Sequence, residues 1–147
     1  MPTDAPVYEH RQISRLMPAA GAVALLVMIA WASGTGGILP WLAVAIVIGV
    51  VAVFHALTIR VDDTALSWCF GLGMLGRTVP LAGIAAAFPV RNRWWYGWGI
   101  RYTPHGWLYN VDGLGAVEVT RRNGKRFRLG TDEPDALARA LASRLED

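Results

Sequence analysis

Charge is missing from one long stretch of this chain. Between Leu16 and Ile59 there is no Asp, Glu, Lys or Arg, and His55 is the only titratable side chain. The run is 44 residues long. A buried helix of that length lies far outside the range of soluble domains. A membrane span takes about 20 residues at 1.5 Å rise each, so the run has room for two spans and a tight turn. Cysteine is nearly absent as well. A single Cys69 excludes an intramolecular disulfide, which fits a reducing cytoplasm. Its place between Trp68 and Phe70 reads as a strand or core position. Lysine is scarce: of the 14 basic residues only Lys125 is not arginine.

Chemistry-bearing clusters are also lacking. His10, His55 and His105 lie on three different segments, with no cysteine or second histidine at ligand spacing, so no metal site is expected. Ser14, Ser33, Ser67 and Ser143 occupy no nucleophile-elbow context. The spacing of Asp62, Asp63, Asp112 and Glu118 suggests no acid–base pair, and Asp62-Asp63 reads as a turn. No catalytic role and no cofactor are expected.

What is present begins with a polar segment, residues 1–15, which reads as a short, mostly irregular cytoplasmic tail. The first span runs from about Leu16 to Ala32, with Pro18 in its first turn. Ser33-Gly34-Thr35-Gly36-Gly37 breaks it, and a second span, opening near Pro40, runs from Leu39 to Leu57. The transmembrane hairpin thus covers residues 16–57. Trp31 and Trp41 flank its turn as membrane-interface anchors. Small residues at four-residue spacing, Ala20 with Ala24 and Ala45 with Gly49, suit close helix approach. Ala30-Trp31-Ala32 has the small-x-small form of a signal-peptidase site, but the preceding region carries Asp4 and Glu9, and a second apolar run follows at once. Arg11 and Arg15 precede the hairpin and Arg60 follows it, while the turn is uncharged. The positive-inside rule then puts both termini in the cytoplasm, as expected for a multi-pass protein of a bacterial plasma (inner) membrane.

From Thr58 the pattern changes to short alternating segments. Strands are expected over Leu57–Asp62, Ala65–Phe70, Arg77–Leu81, Ile84–Arg91, Gly99–Thr103, Trp107–Asn110, Ala116–Arg121 and Lys125–Gly130, most of them parted by Gly and Asp/Asn clusters. In the last hairpin a two-residue Asn123-Gly124 turn would mix apolar and charged side chains on each face. A three-residue loop, Arg122-Asn123-Gly124, puts Gly124 at a left-handed position and pairs Val119 with Phe127, Val117 with Leu129 and Glu118 with Arg128. The chain closes on a helix, capped by Thr131 or Asp132, with Pro134 in its first turn. Leu137, Leu141 and Leu145 lie on one stripe with Ala138 and Ala142 beside them.

These features carry a resemblance. Gly97-Trp98-Gly99-Ile100-Arg101, Gly115-Ala116-Val117-Glu118-Val119, Gly124-Lys125-Arg126-Phe127-Arg128-Leu129 and Asp132-Glu133-Pro134-Asp135-Ala136-Leu137 resemble the pleckstrin-homology-like (PH-like) domains of small bacterial membrane proteins. The resemblance implies, for residues 58–147, a PH-like antiparallel β-barrel or sandwich with one C-terminal helix. The expected fold class is a membrane α-helical hairpin plus this α+β domain.

Three segments invite function. Gly71-Leu72-Gly73-Met74-Leu75-Gly76 matches G-x-G-x-x-G, but a strand-like Arg77-Thr78-Val79-Pro80 follows where a nucleotide fingerprint needs a helix. It reads as a glycine-rich turn whose apolar residues can touch a bilayer surface. Arg91-Asn92-Arg93-Trp94-Trp95-Tyr96-Gly97-Trp98 is the densest in aromatic and arginine side chains. It suits a membrane interface, a protein hot spot or the filling of a small barrel. Base stacking fits poorly with a membrane tether, and no nucleic-acid partner is expected. Arg121, Arg122, Lys125, Arg126 and Arg128 form a basic hairpin tip, either a solvated edge or a contact for anionic headgroups. The expected function is a non-catalytic, membrane-anchored interaction module that binds a protein partner at the cytoplasmic face, with self-association as one form of it. Arg91, Arg93, Trp94, Trp95, Trp98 and the five basic tip residues are the candidate contacts. The alternative is recognition of anionic membrane lipids by the basic hairpin and the aromatic loop.

Overall fold

The structure, a computed structural model, describes residues 6–146. It is an α+β fold with three α-helices and two sheets. The elements run β1 (Tyr8–Ile13), α1 (Leu16–Thr35), α2 (Leu39–Phe54), β2 (Ala56–Val61), β3 (Ala65–Phe70), β4 (Leu75–Pro80), β5 (Ile84–Arg91), β6 (Gly99–Thr103), β7 (Gly106–Asn110), β8 (Gly115–Arg121), β9 (Arg126–Gly130) and α3 (Pro134–Leu145). The first sheet has the order β1-β2-β3-β4 and the second β5-β8-β9-β7-β6.

The N-terminal segment is a correction. Residues 8–13 are not an irregular tail: they form β1, antiparallel to β2, with Tyr8 opposite Val61 and Ile13 opposite Ala56. The inward side chains of β1 are Tyr8, His10 and Gln12, while Ile13 faces out. That inverted polarity hides the strand from a hydrophobic pattern. Polar bonds hold it instead. The Tyr8 hydroxyl donates to Glu133 (3.2 Å), His10 Nε2 lies 2.6 Å from Asp132 Oδ1, and Gln12 Nε2 donates to the Asp112 carbonyl (3.2 Å). Asp132 is therefore a partner of β1, not the cap of α3. The Thr131 hydroxyl accepts the N–H of Glu133, which itself holds the N-cap position, and no side chain caps α3.

The helical pair also departs from expectation in detail. α1 is one helix long and apolar enough to cross a membrane, and only 11% of that stretch is buried. α2 is apolar but shorter, ending at Phe54 rather than Leu57, because Ala56 already pairs with Ile13 in the sheet. The two helices meet along Gly21 and Ala32 on α1 and Pro40 and Val44 on α2, all buried. Gly21 makes the closest approach: a Cβ there would overlap Val51 Cγ2. Ala20, Ala45 and Gly49 are exposed, so the small-residue spacing expected to join the helices does not.

The eight expected strands are present with ends shifted by at most two residues, and the last hairpin has the three-residue loop. Val117 lies opposite Leu129, Glu118 opposite Arg128 and Val119 opposite Phe127, with Gly124 at φ +82°. The second sheet is not wholly antiparallel: β7 runs parallel to β9, Trp107 beside Phe127. The close approach of these two strands needs Gly106, where a side chain would strike the Arg126 carbonyl. One core joins both sheets and α3, among them Leu57, Ile59, Trp68, Phe70, Val117 and Leu137. Trp68 stacks on Phe127 with ring centroids 5.0 Å apart. On α3, Leu137, Ala138 and Leu141 are buried, but Ala142 faces solvent.

The registers give the β domain two distinct ends. At the end where the helices enter and leave, the Arg15 N–H reaches Asp112 Oδ2 (2.9 Å) and the Gly71 N–H reaches the Ala56 carbonyl (2.8 Å). Gly99, where β6 starts, lies beside the Phe54 ring there. At the remote end, Arg122 ties the β8–β9 tip to the turn before β5, through Nε to the Ala82 carbonyl (2.8 Å) and N–H to the Gly83 carbonyl (2.9 Å). The length of β8, about 20 Å at 3.3 Å per residue, separates the ends.

Candidate functional site

The structure divides the expected contact residues into two places. Arg91, Arg93, Trp94, Trp95 and Trp98 lie on the crossover between β5 and β6, which spans the outer face of the second sheet. Both its ends are fastened at the helix-bearing end, the first by the Asn92 N–H on the Leu114 carbonyl (2.7 Å). Its middle folds over the sheet: Asn92 Oδ1 accepts from Arg128 (3.1 Å), and the Tyr96 ring lies 6.2 Å from that of His105. Trp94 and Trp95 are not core residues. They are 71% and 56% exposed, and their rings meet edge to face. The Arg93 guanidinium lies 4.9 Å from the Trp95 ring centroid, a cation–π contact that orders the surface. Arg91 is exposed beside them, whereas Trp98 is half-buried, its indole N–H without an acceptor among the described residues. The residue that fills the core is Trp68.

Near the same end, a glycine-rich turn, Gly71–Met74, joins β3 to β4, shorter than the sequence suggested because Leu75 and Gly76 already pair with Phe70 and Cys69. A side chain at Gly71 would strike the Val53 carbonyl at the end of α2. Leu72 and Met74 project from this turn, each 72% exposed. Trp31 and Trp41, at the opposite end of the helical pair, are half exposed.

The basic tip lies at the remote end and is not one surface. Arg128 is buried on the outer face of β9. It donates through Nε to Glu118 (2.8 Å) and through Nη1 to Asn92 (3.1 Å), so it holds the crossover down and is not free for a headgroup or a partner. Arg122 is committed to Ala82. Arg126 reaches Glu118 only at 3.4 Å. Arg121 and Lys125 have no ion-pair partner among the described residues.

With Arg126, those last two line a cleft of about 450 Å³ that the sequence did not indicate. It opens between β4 and β7 and continues into a second hollow of about 250 Å³. Its walls are Trp68, Tyr109, Trp107 and Phe127, with Arg77 on β4. Burial raises the Tyr109 hydroxyl above the ordinary phenol range, and the neighbouring Arg77 charge opposes that rise. A signal for this cleft does lie in the alternation. Leu75-Arg77-Val79 and Val117-Val119-Arg121 each put an arginine in the inward register of a strand.

Among the described residues no group of three or more His, Cys, Asp or Glu could hold a metal ion. Cys69 is a free, half-buried thiol. Compared with known proteins, the chain matches no family model and no curated protein.

Proposed function

We propose that this protein is a non-catalytic, membrane-anchored interaction module. Its PH-like β domain presents the aromatic–arginine crossover to a protein partner at the cytoplasmic face of a bacterial plasma membrane. The observation that carries the reading is the exposure of Trp94 and Trp95, braced by Arg93, on a loop that buried bonds hold in place. Rigid, exposed Trp and Arg side chains are what binding hot spots are made of.

The β1–β2 pairing supports the two-span arrangement. Ile13 and Ala56 are neighbours in one sheet, so a chain leaving the domain through α1 must return through α2. At 16 residues α2 is about 24 Å long, and tilt or local thinning of the bilayer offsets the shortfall. The pairing also speaks against a cleaved leader, because cutting after Ala32 would strip β1 from its sheet.

A second reading, contact with lipid, is favoured by Leu72 and Met74 beside the end of α2. It engages the helix-bearing end only; the basic tip lies about a strand length away. The deciding experiment installs p-benzoylphenylalanine at position 94 of the full chain and irradiates intact cells, with position 88 on β5 as an exposed control. A discrete protein adduct from 94 and not from 88 is expected. Adducts to phospholipid alone transfer the site to the second reading, and equal labelling from both positions overturns the proposal.

A further inference from the structure

We propose that the open seam between β4 and β7 is a binding site for a soluble small molecule bearing a phosphate or carboxylate on a flat aromatic body. The site is separate from the crossover and does not depend on the role assigned to it.

Its volume, about 450 Å³, is that of an ordinary small-molecule pocket. The walls are aromatic. Trp68 is only 4% exposed, and its indole N–H has no acceptor among the described residues. Tyr109 is 5% exposed, and its hydroxyl makes no hydrogen bond among the described residues. The Trp68 donor is buried and unsatisfied, which is costly, while the Tyr109 hydroxyl stays reachable and can donate to a ligand oxygen in the seam. The rim is cationic: Arg77, Arg121 and Lys125 have no ion-pair partners among the described residues, and the Arg121 Nε is buried without an acceptor.

An inward-pointing charge on an edge strand also discourages unwanted strand pairing. That accounts for Arg77, because β4 is an edge. It does not account for Arg121, because β8 lies inside its sheet between β5 and β9. Both arginines continue rows of inward apolar residues to the same opening, where an anion offsets their mutual repulsion. The flat body is expected to lie against Trp107 and Tyr109. The rim at His105 and Lys125 is at the remote end, so a soluble ligand fits better than a headgroup of the anchoring bilayer.

The test uses the full chain in phosphatidylcholine nanodiscs. Isothermal titration compares phenyl phosphate and adenosine monophosphate with adenosine, which lacks the anion, and inorganic phosphate, which lacks the flat body. Saturable one-to-one binding of at least one aromatic phosphate is expected, at least tenfold tighter than either control. Arg77→Gln and Arg121→Gln are each expected to weaken it at least tenfold, while Arg139→Gln on exposed α3 leaves it unchanged. Circular dichroism of the two seam variants checks that they fold, and a folded variant that binds normally overturns the proposal. So does the absence of saturable binding by both aromatic phosphates, or equal binding of inorganic phosphate.

Discussion

The helical pair and the β domain sort their side chains by opposite rules. In the β domain, apolar residues face inward: Leu57, Leu66, Val117 and Leu137 are fully buried, and the charged side chains are mostly outside. In the helices the large apolar residues face outward. Val23, Leu26, Val27, Leu39, Leu42 and Ile46 are exposed, and the buried contact is made by Gly21, Ala32, Pro40 and Val44. One rule covers both once the surroundings differ. Water drives apolar surface inward, whereas between apolar surroundings and an apolar interior there is no such drive, and close packing of small residues joins helices instead. The comparison supports the proposed bilayer better than hydropathy alone, because the core helix of a soluble protein is mostly buried.

The contrast can be broken by matched substitutions read as thermal unfolding in nanodiscs. Leu137→Ala on α3 is expected to cost about 2–5 kcal/mol through lost burial and the cavity left, whereas Leu26→Ala on α1 changes stability by less than about 0.5 kcal/mol. Equal losses would mean that α1 is buried like a core helix.

Arg128→Met is expected to cost about 3 kcal/mol, because Glu118 loses its closest cation in a confined place. It should also loosen the crossover, raising protease cleavage near Trp94. Adding Glu118→Gln is expected to recover part of the loss.

Gly21→Val forces a side chain into Val51 and is expected to cost about 1–3 kcal/mol. Gly49→Val meets open space and leaves stability nearly unchanged. If the two variants behave alike, the helices do not pack along the face described.

The smallest effect has its pH dependence in the alkaline range. Burial, the first cause, and the neighbouring Glu133 carboxylate push the Tyr8 hydroxyl from 10.0 up to about 12. The folded state therefore holds this proton where the unfolded state has lost it. Its contribution is complete below pH 10.0 and is lost as pH rises through about 12. Tyr8→Phe should flatten that segment of the pH–stability curve, and it lowers stability at neutral pH by no more than the bond to Glu133 contributes.

Legibility followed the strength of each local pattern. The strands from β2 to β9 could be read because apolar residues alternate along most of them, and the β8–β9 register because only one loop length kept Val119 and Phe127 on one face. β1 escaped because Tyr8, His10 and Gln12 point inward through hydrogen bonds, which leave no hydrophobic period. The parallel β7–β9 pair escaped because its partners are far apart in the chain. The aromatic crossover was visible as composition, but its exposure was not. In the basic tip five cations looked alike, and their neighbours separated them: Arg128 to Glu118 and Asn92, Arg122 to Ala82, the others to the cleft.

The chain's own order of residues determined the uncharged run, the strand succession, the three-residue loop at Gly124 and the closing helix. Each depends on spacing between near neighbours, where periodicity and turn chemistry act. Tertiary structure alone decided that β1 returns beside β2, that Trp68 and not Trp94 fills the core, and that the aromatic crossover is anchored at the end opposite the basic tip. These are contacts between residues distant in the chain, and no local period encodes which distant surface a side chain will meet.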